Sequence, residues 1–299
     1  MSDTYDVLLY GATGFTGALT ARYLDAHPEL NGKRWAIAGR SADKLSALAA
    51  ELSSAPGVVA CTLTDAEALA SMVASARVVI TCAGPFSLYD GDKLLGECAR
   101  QGKHYSDLAG EGWWQREMVQ QHHGAAVKSG AKIVLGGGVD SIPSDLGAMM
   151  ALDALGAAKG DAVTVQGVYV LLLLVLLLVL LLLVVMVLLL LLTLDGGSYT
   201  EYSGYLSGGT LASARAGKAA HKAGTYMGME DPYMLTPGAT GADSENGTRH
   251  GMADSTWHFN RKYGALFDFF MAPINAAVVR RSFRFVLDPC CGSLLFIVK

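Results

Sequence analysis

The chain has 299 residues, enough for one large or two modest domains with a sizeable core. A net charge of −4 argues against a polyanion-binding surface, so no nucleic-acid partner is expected. Five cysteines without a Cys-x-x-Cys spacing argue against a disulfide framework and for a reducing compartment.

From the first residues the chain runs into an apolar strand, with no basic n-region and no signal-like apolar segment. Short apolar runs follow at 6–10, 35–38, 58–61, 78–81, 104–106 and 132–135, and each reads as a strand. Helical patterns fall between them at 17–26, 42–52, 66–74, 93–101 and 113–129. Strands that alternate with helices predict an α/β fold: a Rossmann-type, doubly wound parallel sheet over residues 1–145. After Pro143 a helix is expected over 144–155, within a second α/β or α+β domain over 146–299.

The segment "DVLLYGATGFTG" sets Gly11, Gly14 and Gly17 after a strand and at the opening of a helix. A backbone without side chains lets a pyrophosphate approach, and a helix N-terminus offers unpaired N–H groups. The turn as a whole, with Ala12, Thr13, Phe15 and Thr16, is the expected phosphate cradle. The second strand ends in "AIAGRS", placing Gly39, Arg40 and Ser41 where an NAD site usually carries an acid. A guanidinium there suits a 2′-phosphate, so NADP(H) is the expected cofactor. Two more strand ends face the same crevice. Ala83, Gly84 and Pro85 would line the nicotinamide side or form an ordinary tight turn, and Asp65 would meet the adenine edge or cap a helix. No metal-binding pattern is present: His122 and His123 are sequence neighbours rather than i, i+4.

The motifs "YGATGFTG", "AGRS", "CAGPF", "YSDLAGE", "GGGVDSIPSDLG", "YLSGGTLASA", "DPYMLTP" and "APINAAVVRRS" occur in this order. In them the chain resembles the saccharopine dehydrogenase-like oxidoreductases, in particular the branch of bacterial trans-acting enoyl reductases. The resemblance implies NADP(H)-linked reduction of an enoyl or related lipid-derived acyl group, small or carrier-bound; the cysteine usage and the absence of a signal-like start make the cytoplasm the expected place. It also implies that the second domain is C-terminally truncated, since such relatives continue well past "VVRRS". Under this reading Asp140 and Ser141 of "GGGVDSIPSDLG" would stabilise the developing enolate, or serve only a strand-to-helix turn. Tyr89, spaced with Lys93 as Tyr-x-x-x-Lys, is the candidate proton donor. Arg280 and Arg281 read as a solvated surface pair or as a hold on an acidic carrier. A nucleotide-binding sensor or scaffold without turnover is the competing reading.

One segment departs from the pattern. Residues 168–194 carry no charge, and 171–192 are only Leu, Val and one Met. As a helix this run would be about 40 Å long, more than a bilayer core. Yet a simple crossing would part the motifs of residues 200–283 from the nucleotide site. A membrane-dipping helix or hairpin at the inner face of the plasma membrane, a long strand pair, and an anomalous low-complexity insertion therefore all stay open. Oligomeric state is not legible.

Overall fold

The computed structural model describes residues 5–139, 141–155, 166–172, 189–195, 208–224, 234–236, 257–260, 264–267 and 272–287. Its first strand, β1 (Tyr5–Tyr10), sends Leu8 and Tyr10 into one hydrophobic cluster and Leu9 into another. Side chains alternate between the faces of a strand, so apolar neighbours require cover on both sides. β2 (Trp35–Gly39) repeats this, with Ala36 and Ala38 on the first face and Trp35 and Ile37 on the second.

Helices supply the cover. α1 (Phe15–Ala26) and α2 (Ala42–Glu51) bring Ala21, Leu45 and Leu48 to the second face. α3 (Ala66–Ala74), α4 (Gly91–Gln101) and α5 (Gly112–Ser129) bring Leu69, Leu94, Leu95, Trp114 and Met118 to the first. With β3 (Gly57–Ala60), β4 (Ala76–Thr81), β5 (His104–Ser106) and β6 (Ile133–Val134), the strands form one parallel sheet in the order β3-β2-β1-β4-β5-β6. This is the expected Rossmann-type sheet. Strand order reverses between β1 and β4, and the crevice beyond their carboxyl ends is where such sheets take ligands.

Two boundaries move for physical reasons. β6 is shorter than the expected 132–135, because Gly136 and Gly137 leave the ladder and donate to Asp107 instead. The helix expected from residue 144 begins at Ser141. Pro143 thus falls in its first turn, where a helix N–H has no intrahelical acceptor to lose.

The chain forms two compact units. The first holds the sheet and also α7 (Gly208–Lys222), although the Leu/Val run separates the two in sequence. The second holds α6 (Ser141–Leu155), β7 (Gln166–Leu172), β8 (Leu189–Asp195), β9 (Trp257–Asn260), β10 (Gly264–Phe267) and α8 (Ala272–Leu287). β9 and β10 pair antiparallel, as do β7 and β8.

The second pair settles the two ends of the Leu/Val run. Gln166 pairs with Asp195, Val168 with Thr193 and Leu172 with Leu189, so the run leaves and returns at one place. Its middle, 173–188, lies outside the described residues. Among the described residues no helix is long and apolar enough to cross a membrane.

In the second unit α6 and α8 meet through apolar and polar contacts. Ile274, Ala277, Val278 and Arg281 recur at helical spacing on the buried side of α8. Arg281 is 5% exposed and donates to the Leu235 carbonyl, so it is a core residue rather than the expected solvated surface. Ser141 donates to Asn275 Oδ1 (3.3 Å) and Ser282 to Asp145 Oδ2 (2.9 Å). Asp145 Oδ1 has no hydrogen-bond partner among the described residues. Burial pushes the Asp145 carboxyl up to about 6, against the smaller opposing effect of the Ser282 hydrogen bond.

That shift has a sign in stability. A raised folded-state pKa means that folding takes up a proton. The associated stability is present below the unfolded value, about 4, and is lost as pH rises through about 6. Asn at 145 keeps an acceptor for Ser282 and cannot ionise. The stability of Asp145→Asn relative to the native chain should therefore increase between pH 4 and 7, by up to about 3 kcal/mol. Thermal melts across that range check this, and a pH-independent difference would contradict it.

Candidate nucleotide-binding site

The turn after β1 is built around two glycines that admit no side chain. Gly11 has φ +77°, a left-handed conformation, and its N–H bonds to the Ala38 carbonyl (2.9 Å). A Cβ on Gly11 would stand 2.9 Å from the Ala83 nitrogen, so the turns after β1 and β4 touch directly. A Cβ on Gly17 would stand 2.8 Å from the Gly11 carbonyl carbon and 2.9 Å from Ala12 Cα, so α1 starts pressed against the end of β1.

Gly14 is the N-cap of α1. No side chain caps the helix, and its first turn carries no acid. Thr13, Gly14 and Phe15 are exposed, while Ala12 and Gly17 are buried. The first-turn N–H groups of α1 thus face outward without a side-chain acceptor, a geometry suited to a phosphate.

Gly39 ends β2 in the core, and Arg40 follows as an exposed side chain. Its guanidinium carbon lies 6.0 Å from the ring centroid of Tyr89, which is 50% exposed. Ser41 caps α2 by accepting from Lys44 N (3.4 Å). Asp65 caps α3: its Oδ1 accepts from Glu67 N (3.1 Å) and Ala68 N (3.0 Å), which accounts for an acid at this position without a nucleotide. Beyond β4, Ala83 N bonds to Thr81 Oγ1 (3.2 Å), and the Gly84–Pro85 bond is cis.

Two of the residues expected to carry chemistry are described, one in each unit. Tyr89 stands beside Arg40 in the first unit, and Ser141 is bonded to Asn275 in the second. Asp140 lies outside the described residues.

Sequence reasoning passes over two buried carboxylates at the end of β5. Asp107 is 2% exposed and accepts from Tyr105 Oη (2.9 Å), Ala109 N (3.0 Å) and Gly136 N (2.8 Å). Burial raises its carboxyl to about 6, against the lowering effect of these donors. Glu111, also 2% exposed, accepts from the hydroxyls of Ser87 and Ser213 (3.4 Å each) and from the backbone of Ser87 and Phe86. Desolvation raises its pKa, and the hydrogen bonds oppose that. It ties the turn after β4 to α7, the helix of the "SGGTLASA" motif. The one signal in the sequence is the motif "YSDLAGE", where both acids follow a strand end.

Sheet order, glycine turn and uncapped α1 together define a dinucleotide-binding domain of the Rossmann class. Residues 7–134 match the family model of the saccharopine dehydrogenase NADP-binding domain. This region is thus similar to the NADP-binding domain of saccharopine dehydrogenases, and the cofactor is NADP(H). The exposed cation at Arg40 fits that cofactor.

A provisionally named trans-acting enoyl reductase of Mycobacterium tuberculosis is 31% identical over 289 residues, covering 93% of this chain and 60% of the relative. The trans-acting enoyl reductase of Mycobacterium leprae is 42% identical over 147 residues, covering 48% of this chain and 34% of that protein. The chain thus spans about 60% or less of the length of these relatives. Among solved structures, apo saccharopine dehydrogenase (L-Glu forming) from Saccharomyces cerevisiae is similar at TM-score 0.44 and 20% identity, over 56% of this chain and 34% of that one.

Proposed function

We propose that the protein is an NADPH-dependent oxidoreductase that reduces an enoyl or related lipid-derived acyl group, free or carrier-bound. The observation that carries this reading is Arg40, an exposed cation at the end of β2 beside an uncapped, glycine-lined helix start. The names of its relatives supply the substrate class. Bound NADPH supplies the hydride. The chain's own tasks are to hold the pyrophosphate on the 11–17 turn and the 2′-phosphate on Arg40 and Ser41. Residues 83–85 flank the nicotinamide side, and Glu111 fixes the turn that follows them. Asp140 and Ser141 remain the proposed polar partners of the acyl carbonyl. The reading places the protein in the cytoplasm, with 168–194 as the segment through which it would meet the inner face of a membrane.

The test joins binding to turnover. Arg40→Asp should weaken NADPH binding at least about tenfold more than NADH binding, the scale of one charge-assisted phosphate contact. The native chain should consume NADPH only when an enoyl thioester is present. Equal loss of both cofactors in Arg40→Asp would remove the 2′-phosphate assignment. NADPH binding without oxidation across enoyl and imine substrates would favour a sensor or scaffold.

A further inference from the structure

Arg40 and Tyr89 reach each other from strands that are not neighbours. Arg40 follows β2 and Tyr89 follows β4, and β1 lies between those strands in the sheet. The pair therefore spans the crevice above the 11–17 turn. Two constraints hold Tyr89 there. Asp90 is locked at φ +56°, a left-handed conformation unusual for a residue with a side chain, and its carboxylate pairs with Lys93 at 2.6 Å. Gly91 N then bonds to the Phe86 carbonyl (3.2 Å), closing the loop on itself.

The guanidinium carbon stands over the ring face at 6.0 Å from its centroid. That is the outer limit of a cation–π contact and looser than direct stacking. A flat base needs about 3.5 Å on each side, so a gap of about 7 Å admits one. Arg40 and Tyr89 are both exposed, and exposed side chains change rotamer within nanoseconds, so the missing ångström is available. The Tyr89 hydroxyl makes no hydrogen bond among the described residues, so no polar contact has to break when the ring moves.

From this geometry we propose that Arg40 and Tyr89 are the two jaws of an adenine clamp: the base inserts between guanidinium and ring while the edge of Arg40 takes the 2′-phosphate. Tyr89 is then a cofactor-binding residue at the adenosine end rather than a proton donor at the nicotinamide. The proposal rests on the NADP(H) reading of the site.

The probe is 2′,5′-ADP, which carries the adenosine end alone, titrated calorimetrically alongside NADPH and NADH. Tyr89→Phe keeps the ring and should bind 2′,5′-ADP within about twofold of the native chain. Tyr89→Ala should bind it about tenfold more weakly, the lower-to-middle range for loss of one base-stacking aromatic. It should weaken NADPH and NADH by the same factor, because both carry adenine. Arg40→Asp, by contrast, should change the ratio of the two. Native-like affinity in Tyr89→Ala, or equal losses in Tyr89→Phe and Tyr89→Ala, overturns the clamp while leaving Arg40 and NADP(H) intact. A native chain that binds neither 2′,5′-ADP nor NADPH overturns the cofactor reading itself.

Discussion

Replacing Gly17 by alanine should destabilise the first unit by about 2–3 kcal/mol and abolish measurable NADPH binding. The added methyl would meet the backbone of Gly11 and Ala12, which cannot rotate away as a side chain could. α1 would have to lift off the end of β1, and its N–H groups would leave the phosphate position. A loss of that size lowers the melting temperature by roughly 5–10 °C. Gly14→Ala is the internal control. Gly14 has φ −74°, and a Cβ there meets only the Gly11 oxygen at 3.3 Å. Its melting temperature should stay within a degree or two, while NADPH binding weakens because the methyl stands on the approach of the pyrophosphate. If Gly17→Ala melts and binds NADPH like the native chain, the close approach of α1 is not what builds the cradle.

The second large effect concerns Glu111. Glu111→Ala removes the acceptor of two hydroxyls and two backbone N–H groups inside the first unit. Leaving such donors buried and unpaired costs about 3 kcal/mol in total, after partial relaxation. Glu111→Gln preserves volume and one acceptor oxygen, but turns an NH2 group toward donors, so it should recover only part of the loss. Because Glu111 joins the turn after β4 to α7, its loss should also free α7. Hydrogen exchange of residues 208–222 should then speed up in Glu111→Ala while the β1 and β2 amides stay protected. Unchanged exchange in α7 would mean that another contact docks it.

The sheet and the glycine turn are legible in the sequence because both are written in local pattern. Leu8 and Leu9 are neighbours on a strand, which already demands two covered faces. Gly11, Gly14 and Gly17 answer to a turn of seven residues. Arg40 is legible because a strand end fixes its distance from that turn. Glu111 is not, because its partner Ser213 lies 102 residues away and beyond the Leu/Val run. Arg281 reads as a surface charge by its pairing with Arg280, although Ile274, Ala277 and Val278 before it mark the buried face of one helix. Tyr89 and Lys93 stand four residues apart in the sequence; in the fold Lys93 pairs with Asp90, and Tyr89 faces Arg40.

The Leu/Val run shows the division most sharply. Composition alone determined that it would avoid water, and could not distinguish a span from a strand pair, since hydropathy carries no direction. Pairing of Gln166 with Asp195 decided that its ends lie side by side. The sequence by itself determined the parallel sheet, the phosphate turn and a cation in place of an acid. Those depend on contacts within a few residues or on periodicity along one element. Only the tertiary structure decided which side chains meet across the crevice and where α7 docks. Such contacts join residues far apart in the chain, whose proximity no local pattern encodes.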